Sequence, residues 1–169
     1  MQEYAIFDFD GTLTNLNVDW DFVKKELSVA RISDLWILKE PMRQQAFEIV
    51  SAHEHQATEN KLILDRNRLE SISCFSILTN NSEKTVKYFF ELINLDMRFK
   101  QINPCSIIGR ETLGGPKENE EIFRNGINLI FNQMEVPESS ECLYVGDQKY
   151  ELKHAMEMGL KTVDITAFM

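Results

Sequence analysis

Short apolar runs that end in polar residues recur along the chain, and helical patterns lie between them. We predict strands over residues 4–9, 74–79, 106–108, 142–145 and 161–165. Strands that alternate with helices build a mostly parallel sheet with helices on both faces. The pattern therefore predicts an α/β fold, a doubly wound parallel sheet.

The segment between the first two strands is predicted to be entirely helical. One helix carries apolar residues at one-face spacing from Trp20 to Ala30, a second opens after Pro41, and a weaker pattern covers 62–72. The next predicted elements are a helix after Ser82, a loop over 109–115 and a long helix that begins near Lys117.

Size and charge limit the class of protein. The 169 residues suffice for one compact unit, and the net charge of −9 argues against a nucleic-acid partner. No leader precedes Tyr4 and no apolar run reaches membrane-spanning length, which predicts a soluble, cytoplasmic protein without a membrane partner. The three cysteines, Cys74, Cys105 and Cys142, are expected to be reduced thiols, because they are odd in number and show no Cys-x-x-Cys spacing.

Two carboxylates, Asp8 and Asp10, close the first apolar run and precede Gly11-Thr12. In open α/β folds the ligand crevice lies at the carboxyl ends of the strands. Carboxylates this close repel each other unless a divalent cation or a shared proton lies between them. One can then act as a nucleophile while the other moves protons. The plain alternative is a strand followed by an acidic Asp-Gly turn.

Three more positions carry groups that a phosphate site needs. Thr79 ends the second strand and precedes Asn80, Lys117 precedes the long helix, and Asp147 ends the fourth strand, with Glu151 one helical turn later. Each alone is typical of a strand-end hydroxyl, a solvated lysine or an ordinary helix cap. Together and in this order they indicate a site for a phosphorylated ligand.

These motifs resemble the haloacid dehalogenase superfamily of phosphohydrolases. The stretch 8–12 is similar to the family's first motif, 77–80 to the second, Lys117 to the third, and 146–151 to the fourth. The resemblance implies a Rossmann-like α/β catalytic core over 1–14 and 71–169, with a small all-helical cap over 15–70. Relatives usually carry Asp where this chain has Glu151, which puts the metal affinity in question. Both aspartates of the first motif are present, unlike in the dehalogenases.

The resemblance also implies a mechanism, that of a Mg²⁺-dependent phosphatase. The Asp8 carboxylate, the Asp10 carbonyl, Asp147 and Glu151 are the expected Mg²⁺ ligands, the last through water. Asp8 is the expected nucleophile, which forms an aspartyl-phosphate, and Asp10 the general acid and base. Five residues are expected to bind the phosphoryl group: Gly11 and Thr12, by backbone N–H groups, Asn80, Thr79 and Lys117. Thr79 and Lys117 are also expected to act in catalysis.

The expected substrate is a small phosphorylated metabolite, since a cap of this size covers a small pocket. Two alternatives stay open: a phosphomutase of the same superfamily, and a non-catalytic metal-binding regulatory or interaction module, which only Glu151 favours. A receiver domain is disfavoured, because its phosphate-accepting aspartate would end a later strand. The sequence does not predict the oligomeric state.

Several other residues are predicted to be structural. His53 and His55 do not face the same side of a helix, and His53 is expected to pack in the cap. Trp20 and Trp36 are predicted to pack in the cap as well. The basic residues of the cap are the expected source of any contact to a substrate anion, namely Lys24, Lys25, Arg31, Lys39 and Arg43.

Overall fold

A five-stranded parallel sheet forms the centre of the protein. The computed structural model describes residues 4–135 and 142–168. The strands are β1 (Tyr4–Phe7), β2 (Cys74–Leu78), β3 (Ser106–Ile108), β4 (Cys142–Gly146) and β5 (Lys161–Asp164), in the spatial order β3-β2-β1-β4-β5. Tyr4 of β1 pairs in register with Cys74 of β2 and with Cys142 of β4. The predicted doubly wound α/β fold is confirmed.

Helices cover both faces of this sheet. They are α1 (Trp20–Glu26), α2 (Met42–Gln56), α3 (Arg66–Ser71), α4 (Glu83–Ile93), α5 (Arg110–Leu113), α6 (Glu120–Met134) and α7 (Lys149–Glu157), with 3-10 helices at Ile32–Ile37 and Ile165–Phe168. None of the helices in the described part of the chain is long and apolar enough to cross a membrane.

Successive strand residues face opposite sides, so the sheet separates two hydrophobic clusters. Phe7 packs in a cluster with Phe89 of α4, whereas its neighbour Ile6 packs in the other cluster with Phe123 of α6. Burial on both faces is typical of parallel sheets, whose strands are apolar throughout.

The helices between β1 and β2 have a hydrophobic cluster of their own, built around Val23, Leu35, Ala46 and Val50. Below, residues 15–70 are called the cap segment; their division from the core stays a prediction. Trp20 packs against this cluster as predicted, and the ring centroid of Trp36 lies 4.7 Å from that of Phe47. His53 is also held within the segment, where Nε2 lies 2.8 Å from Glu26 Oε2.

Three predictions about local structure were wrong. The predicted loop 109–115 contains the short helix α5, and the long helix begins at Glu120 rather than near Lys117, since the side chain of Asn119 caps it by accepting from the N–H of Glu121. Cys74 and Cys105 form a disulfide instead of remaining thiols. They lie at the starts of neighbouring strands, which brings their Cα atoms to 6.0 Å. Cys142 is free and buried.

Candidate active site

One cavity of about 330 Å³ opens at the carboxyl ends of the strands and extends under the cap segment. Asp8 directly follows β1, Thr79 follows β2 and Asp147 follows β4. Because these strands are parallel neighbours, their ends meet at one edge of the sheet. Of the predicted site residues, seven line this cavity: Asp8, Asp10, Thr79, Asn80, Lys117, Asp147 and Glu151.

Asp8, Lys117 and Glu151 form a buried charged cluster at the base of the cavity. Lys117 Nζ lies 2.5 Å from Asp8 Oδ1 and 2.7 Å from Glu151 Oε1, and it donates to the carbonyl of Leu78 at 3.1 Å. All three hydrogens of the ammonium group therefore have an acceptor. Lys117 is 1% exposed, so its charge acts on the two carboxylates with little screening by water.

The cluster holds two carboxylates and one ammonium group, and its pKa values reflect this imbalance. Burial and then the charge of Glu151 raise the pKa of Asp8 to about 8, against the opposing effect of Lys117. Burial alone would lower the pKa of Lys117, but the Asp8 and Glu151 carboxylates outweigh it and raise that pKa above its ordinary value. A bound cation would relieve this excess of negative charge.

A divalent cation fits the adjacent carboxylates. Asp8, Asp147 and Glu151 each offer one oxygen, and these three atoms lie within 4.8 Å of one another. Asp147 Oδ1 is buried and has no hydrogen-bond partner among the described residues. Carboxylate oxygens are the ligands that Mg²⁺ prefers. The unpartnered oxygen and the all-oxygen donor set therefore fit the expected metal.

Three protein groups donate to Glu151. Tyr144 donates to Oε2 at 2.8 Å, and Tyr150 donates to Oε1 at 3.0 Å, in addition to the contact with Lys117. Burial and the charge of Glu151 raise the pKa of Tyr144, which keeps its hydroxyl protonated as a donor. Oε1 accepts from two groups and Oε2 from one, so one lone pair of Oε2 remains for a water or an ion.

Asp10 presents a carboxyl group of raised pKa to the cavity. Its carboxylate lines the cavity and accepts from the N–H of Leu16 at 2.7 Å, which fixes its orientation. Burial raises the pKa of Asp10 to about 6, with further contributions from Glu54 and Asp147 against the Leu16 hydrogen bond. A carboxyl group with this pKa can give and take a proton near neutral pH.

The residues after β2 are tied together by their own side chains. Thr79 Oγ1 donates to Asn81 Oδ1 at 2.8 Å. Asn80 accepts from the N–H of Lys117 at 2.8 Å and donates to Glu118 at 3.1 Å. Asn80 therefore positions the segment that carries Lys117, a role that its place after a strand did not indicate.

Gly11 and Thr12, which were predicted to bind phosphate, do not line the cavity. The N–H of Gly11 donates to the carbonyl of Thr14 at 2.7 Å and that of Thr12 to the carbonyl of Phe9 at 3.3 Å, so the turn uses both donors internally. Gly11 has a φ of +82°, and a Cβ there would lie 2.7 Å from Asp147 Oδ2. The absence of a Cβ at Gly11 therefore allows the turn to pass beside Asp147.

Two charged cavity residues were missed in the sequence. Glu54 of α2 and Arg110 of α5 form a buried ion pair between the cap segment and the core, with side chains 1% and 3% exposed. Glu54 lies between His53 and His55 in the sequence, and Arg110 follows a strand end, as Thr79 and Asp147 do. Its place after a strand was the signal that could have identified Arg110, but residues 109–115 were predicted to form a loop.

The basic residues named as the expected source of an anion contact lie elsewhere, and that contact stays a prediction. None of the five lines the cavity, and three of them pair with carboxylates of the cap segment: Lys24 with Asp21, Arg31 with Asp34 and Arg43 with Glu40. The cations at the cavity are Lys117 and Arg110, both from the core. Trp20 and Trp36, predicted only to pack, also line it.

The sequence matches a known protein family. The family model described as haloacid dehalogenase-like hydrolase matches residues 38–165, a range that begins after Asp8 and Asp10. None of the curated proteins matches the chain.

Solved structures share the fold. A hydrolase from Pseudomonas syringae has a TM-score of 0.63 at 18% identity, over 96% of this chain and 84% of that one. CbbY from Rhodobacter sphaeroides, in complex with phosphate, has a TM-score of 0.60 at 19% identity, over 96% and 85%. The putative HAD-hydrolase YfnB from Bacillus subtilis, bound to magnesium, has a TM-score of 0.52 at 16% identity, over 95% and 87%. With the family match over most of its length, this chain belongs to the haloacid dehalogenase-like hydrolases.

Proposed function

We propose that the protein is a Mg²⁺-dependent phosphatase that hydrolyses a small phosphate monoester through an aspartyl-phosphate intermediate. The observation that carries this proposal is the contact between Asp8 and Lys117 inside a cavity that also holds the Asp147 and Glu151 carboxylates. A carboxylate held beside a buried ammonium is placed to attack phosphorus while the ammonium offsets phosphoryl charge.

Each reacting residue has one part in the chemistry. Asp8 attacks the phosphorus, the bond to the ester oxygen breaks, and Asp10 gives its proton to the leaving alkoxide. Asp10 then takes a proton from water, which attacks the aspartyl-phosphate, releases inorganic phosphate and restores the Asp8 carboxylate. Thr79 and Lys117 stabilise the charge on the phosphoryl oxygens.

Mg²⁺ would be held by the Asp8 and Asp147 carboxylates, the Asp10 carbonyl and, through water, Glu151. It would supply positive charge against the phosphoryl oxygens. Two similar folds were solved with phosphate and with magnesium, which supports both parts of this site. The cavity of about 330 Å³ favours a small phosphorylated metabolite as the substrate.

The test is phosphate release from a panel of small esters, with Mg²⁺ or with EDTA, by the wild type and Asp8→Asn. We expect Mg²⁺-dependent release that falls by at least about 10³-fold in Asp8→Asn. Asp21→Asn makes the same chemical change at a side chain that is 93% exposed and serves as the control. Wild-type-like release by Asp8→Asn would contradict the proposal. Mg²⁺ binding without release from any ester would favour a non-catalytic module.

A further inference from the structure

Arg110 is a buried cation in the part of the cavity wall that faces the cap segment. It begins α5, two residues after β3, and it is 3% exposed. Its Cζ lies 5.3 Å from the ring centroid of Phe47, another residue of the cavity wall. The guanidinium therefore lies between the core and the cap segment.

Only part of this guanidinium is used by the protein. Nε donates to the carbonyl of Asn80 at 3.2 Å, and Nη2 pairs with Glu54 Oε1. Nη1 is buried and has no hydrogen-bond partner among the described residues. A buried donor without an acceptor costs about 1–3 kcal/mol, and native proteins leave few of them. Because Arg110 lines the cavity, an oxygen of a bound ligand would satisfy Nη1.

Hydrogen bonds connect Arg110 to the residues expected to hold the phosphoryl group. Thr79 Oγ1 donates to Asn81 Oδ1 at 2.8 Å, and Asn81 Nδ2 donates to Glu54 Oε1 at 3.0 Å. Glu54 in turn pairs with Arg110. Two side chains, Asn81 and the cap-segment residue Glu54, thus separate the guanidinium from Thr79. An ester whose phosphoryl group lay at Thr79 would extend its alcohol part toward these residues.

The charges around the cavity favour an uncharged acceptor. Six of the lining residues carry carboxylates, namely Asp8, Asp10, Glu54, Glu118, Asp147 and Glu151, against the two cations Lys117 and Arg110. Glu54 already neutralises Arg110, so a second anionic group on the substrate would meet no free positive charge there. A hydroxyl or carbonyl oxygen accepts the same hydrogen bond without that repulsion.

The part of the cavity wall contributed by the cap segment is largely apolar, with Ser33 as a polar residue besides Glu54. Trp20, Ile32, Trp36 and Phe47 line it, and none of them is fully buried. Aromatic walls with a few directed polar groups are typical of pockets that orient a small molecule. The apolar C–H faces of a leaving group would pack on these walls. Its hydroxyls would accept from Nη1 and donate to the carboxylates.

We propose that Arg110 is a specificity-determining residue, whose Nη1 donates to an uncharged hydroxyl or carbonyl oxygen of the leaving group, so that esters with such an oxygen are preferred over esters without one. This inference rests on the proposed phosphatase function. Glu54 pairs with Nη2 of the same guanidinium, so it leaves Nη1 for the leaving group.

The test compares selectivity in the wild type, Arg110→Lys and Glu54→Gln. Lysine keeps a cation for Glu54 but lacks Nη1, whereas Glu54→Gln disturbs the pair and keeps Nη1. The substrates are ribose 5-phosphate, glucose 6-phosphate and glycerol 3-phosphate, with phenyl phosphate as an ester whose leaving group has no second oxygen and 3-phosphoglycerate as an anionic one. For each variant we would measure the ratio of kcat/KM for the best hydroxylated ester to that for phenyl phosphate.

We expect Arg110→Lys to lower this ratio about 10-fold, which corresponds to one lost hydrogen bond from a charged group, and Glu54→Gln to change it less than 2-fold. An equal loss on both esters in Arg110→Lys would overturn the proposal and leave Arg110 a purely structural role. If the wild type preferred 3-phosphoglycerate and Arg110→Lys lost that preference, the inference that the acceptor is uncharged would be wrong.

Thermal unfolding with the same esters separates this inference from the proposed function. A rise in Tm with a hydroxylated ester that is lost in Arg110→Lys, without turnover in the wild type, would reject the phosphatase and retain the binding role. No rise in Tm and no turnover with any hydroxylated ester would overturn the binding role as well.

Discussion

Arg110→Met would leave Glu54 as a buried carboxylate without its ion-pair partner. Breaking a buried pair by removing one partner costs about 3–5 kcal/mol. Glu54 keeps three donors after the change: Asn81 Nδ2 at 3.0 Å, the N–H of Ser82 at 3.0 Å and Thr85 Oγ1 at 3.4 Å. We therefore expect a loss near the lower limit, about 3 kcal/mol in the free energy of unfolding at pH 7.

The coupling between the two residues follows from a double-mutant cycle. Glu54→Gln alone removes the charge and turns one acceptor into a donor that faces other donors, which costs about 1–3 kcal/mol. In the double variant neither charge is left buried without a partner. We expect its loss to be smaller than the sum of the single losses by about 1–3 kcal/mol, as for residues in one network.

The pH dependence gives an independent check. Burial raises the pKa of Glu54, and the charge of Arg110 opposes this effect. Removing Arg110 therefore raises the folded-state pKa of Glu54 further above its unfolded value. An acid shifted upward on folding loses stability as the pH rises from the unfolded pKa to the folded one. The penalty of Arg110→Met should consequently be smaller at pH 5 than at pH 7.

The assay is urea unfolding followed by tryptophan fluorescence in EDTA, at both pH values. Arg98→Met breaks an exposed pair with Asp96, in which the arginine side chain is 84% exposed, and should change stability by less than about 0.5 kcal/mol. Two results together would refute the reasoning. The losses of Arg110→Met and Glu54→Gln would add up to that of the double variant within about 0.5 kcal/mol, and the loss of Arg110→Met would be the same at both pH values.

Three further predictions concern the metal side of the cavity. Gly11→Ala should cost at least about 1 kcal/mol more than Gly114→Ala in thermal unfolding, because both sites have positive φ but only at Gly11 would a Cβ contact Asp147; equal losses would contradict this. Mg²⁺ at 100 times its Kd should stabilise the wild type by about 2.7 kcal/mol and Asp147→Asn far less, and an equal rise in Tm in both would exclude Asp147 as a ligand. Tyr144→Phe should cost about 1–3 kcal/mol in urea unfolding, because Tyr144 is the protein donor to Oε2 of the buried Glu151; unchanged stability would show that water replaces it.

The sequence was sufficient to predict the fold. Apolar runs of strand length and helical stripes between them are local signals, and their alternation restricts the sheet to a parallel one. The element boundaries were less certain: β1 ends at Phe7 rather than Phe9, and α3 begins at Arg66 rather than near Leu62. The ends of these elements depend on capping and on tertiary contacts, which the periodic pattern does not contain.

The same logic reached part of the candidate site. Asp8, Thr79 and Asp147 each follow a strand, and parallel strands bring their carboxyl ends to one edge, so the sequence predicted that these side chains lie close together. They line one cavity in the structure, while their chemical roles stay predictions. Gly11 and Thr12 belong to the same first motif but not to the cavity, because the carbonyls of their own turn take their N–H groups.

The sequence by itself thus determined the class of fold and the strand-end residues of the site, because both follow from short-range patterns and from the geometry of parallel strands. Only the tertiary structure decided which distant residues meet. Glu54 and Arg110 are 56 positions apart, and Cys74 and Cys105 are 31 apart. Such contacts arise where the cap segment packs on the core or where two strands become neighbours. The local pattern around each residue does not indicate which distant residue is its partner, so the sequence carries no signal of the pair.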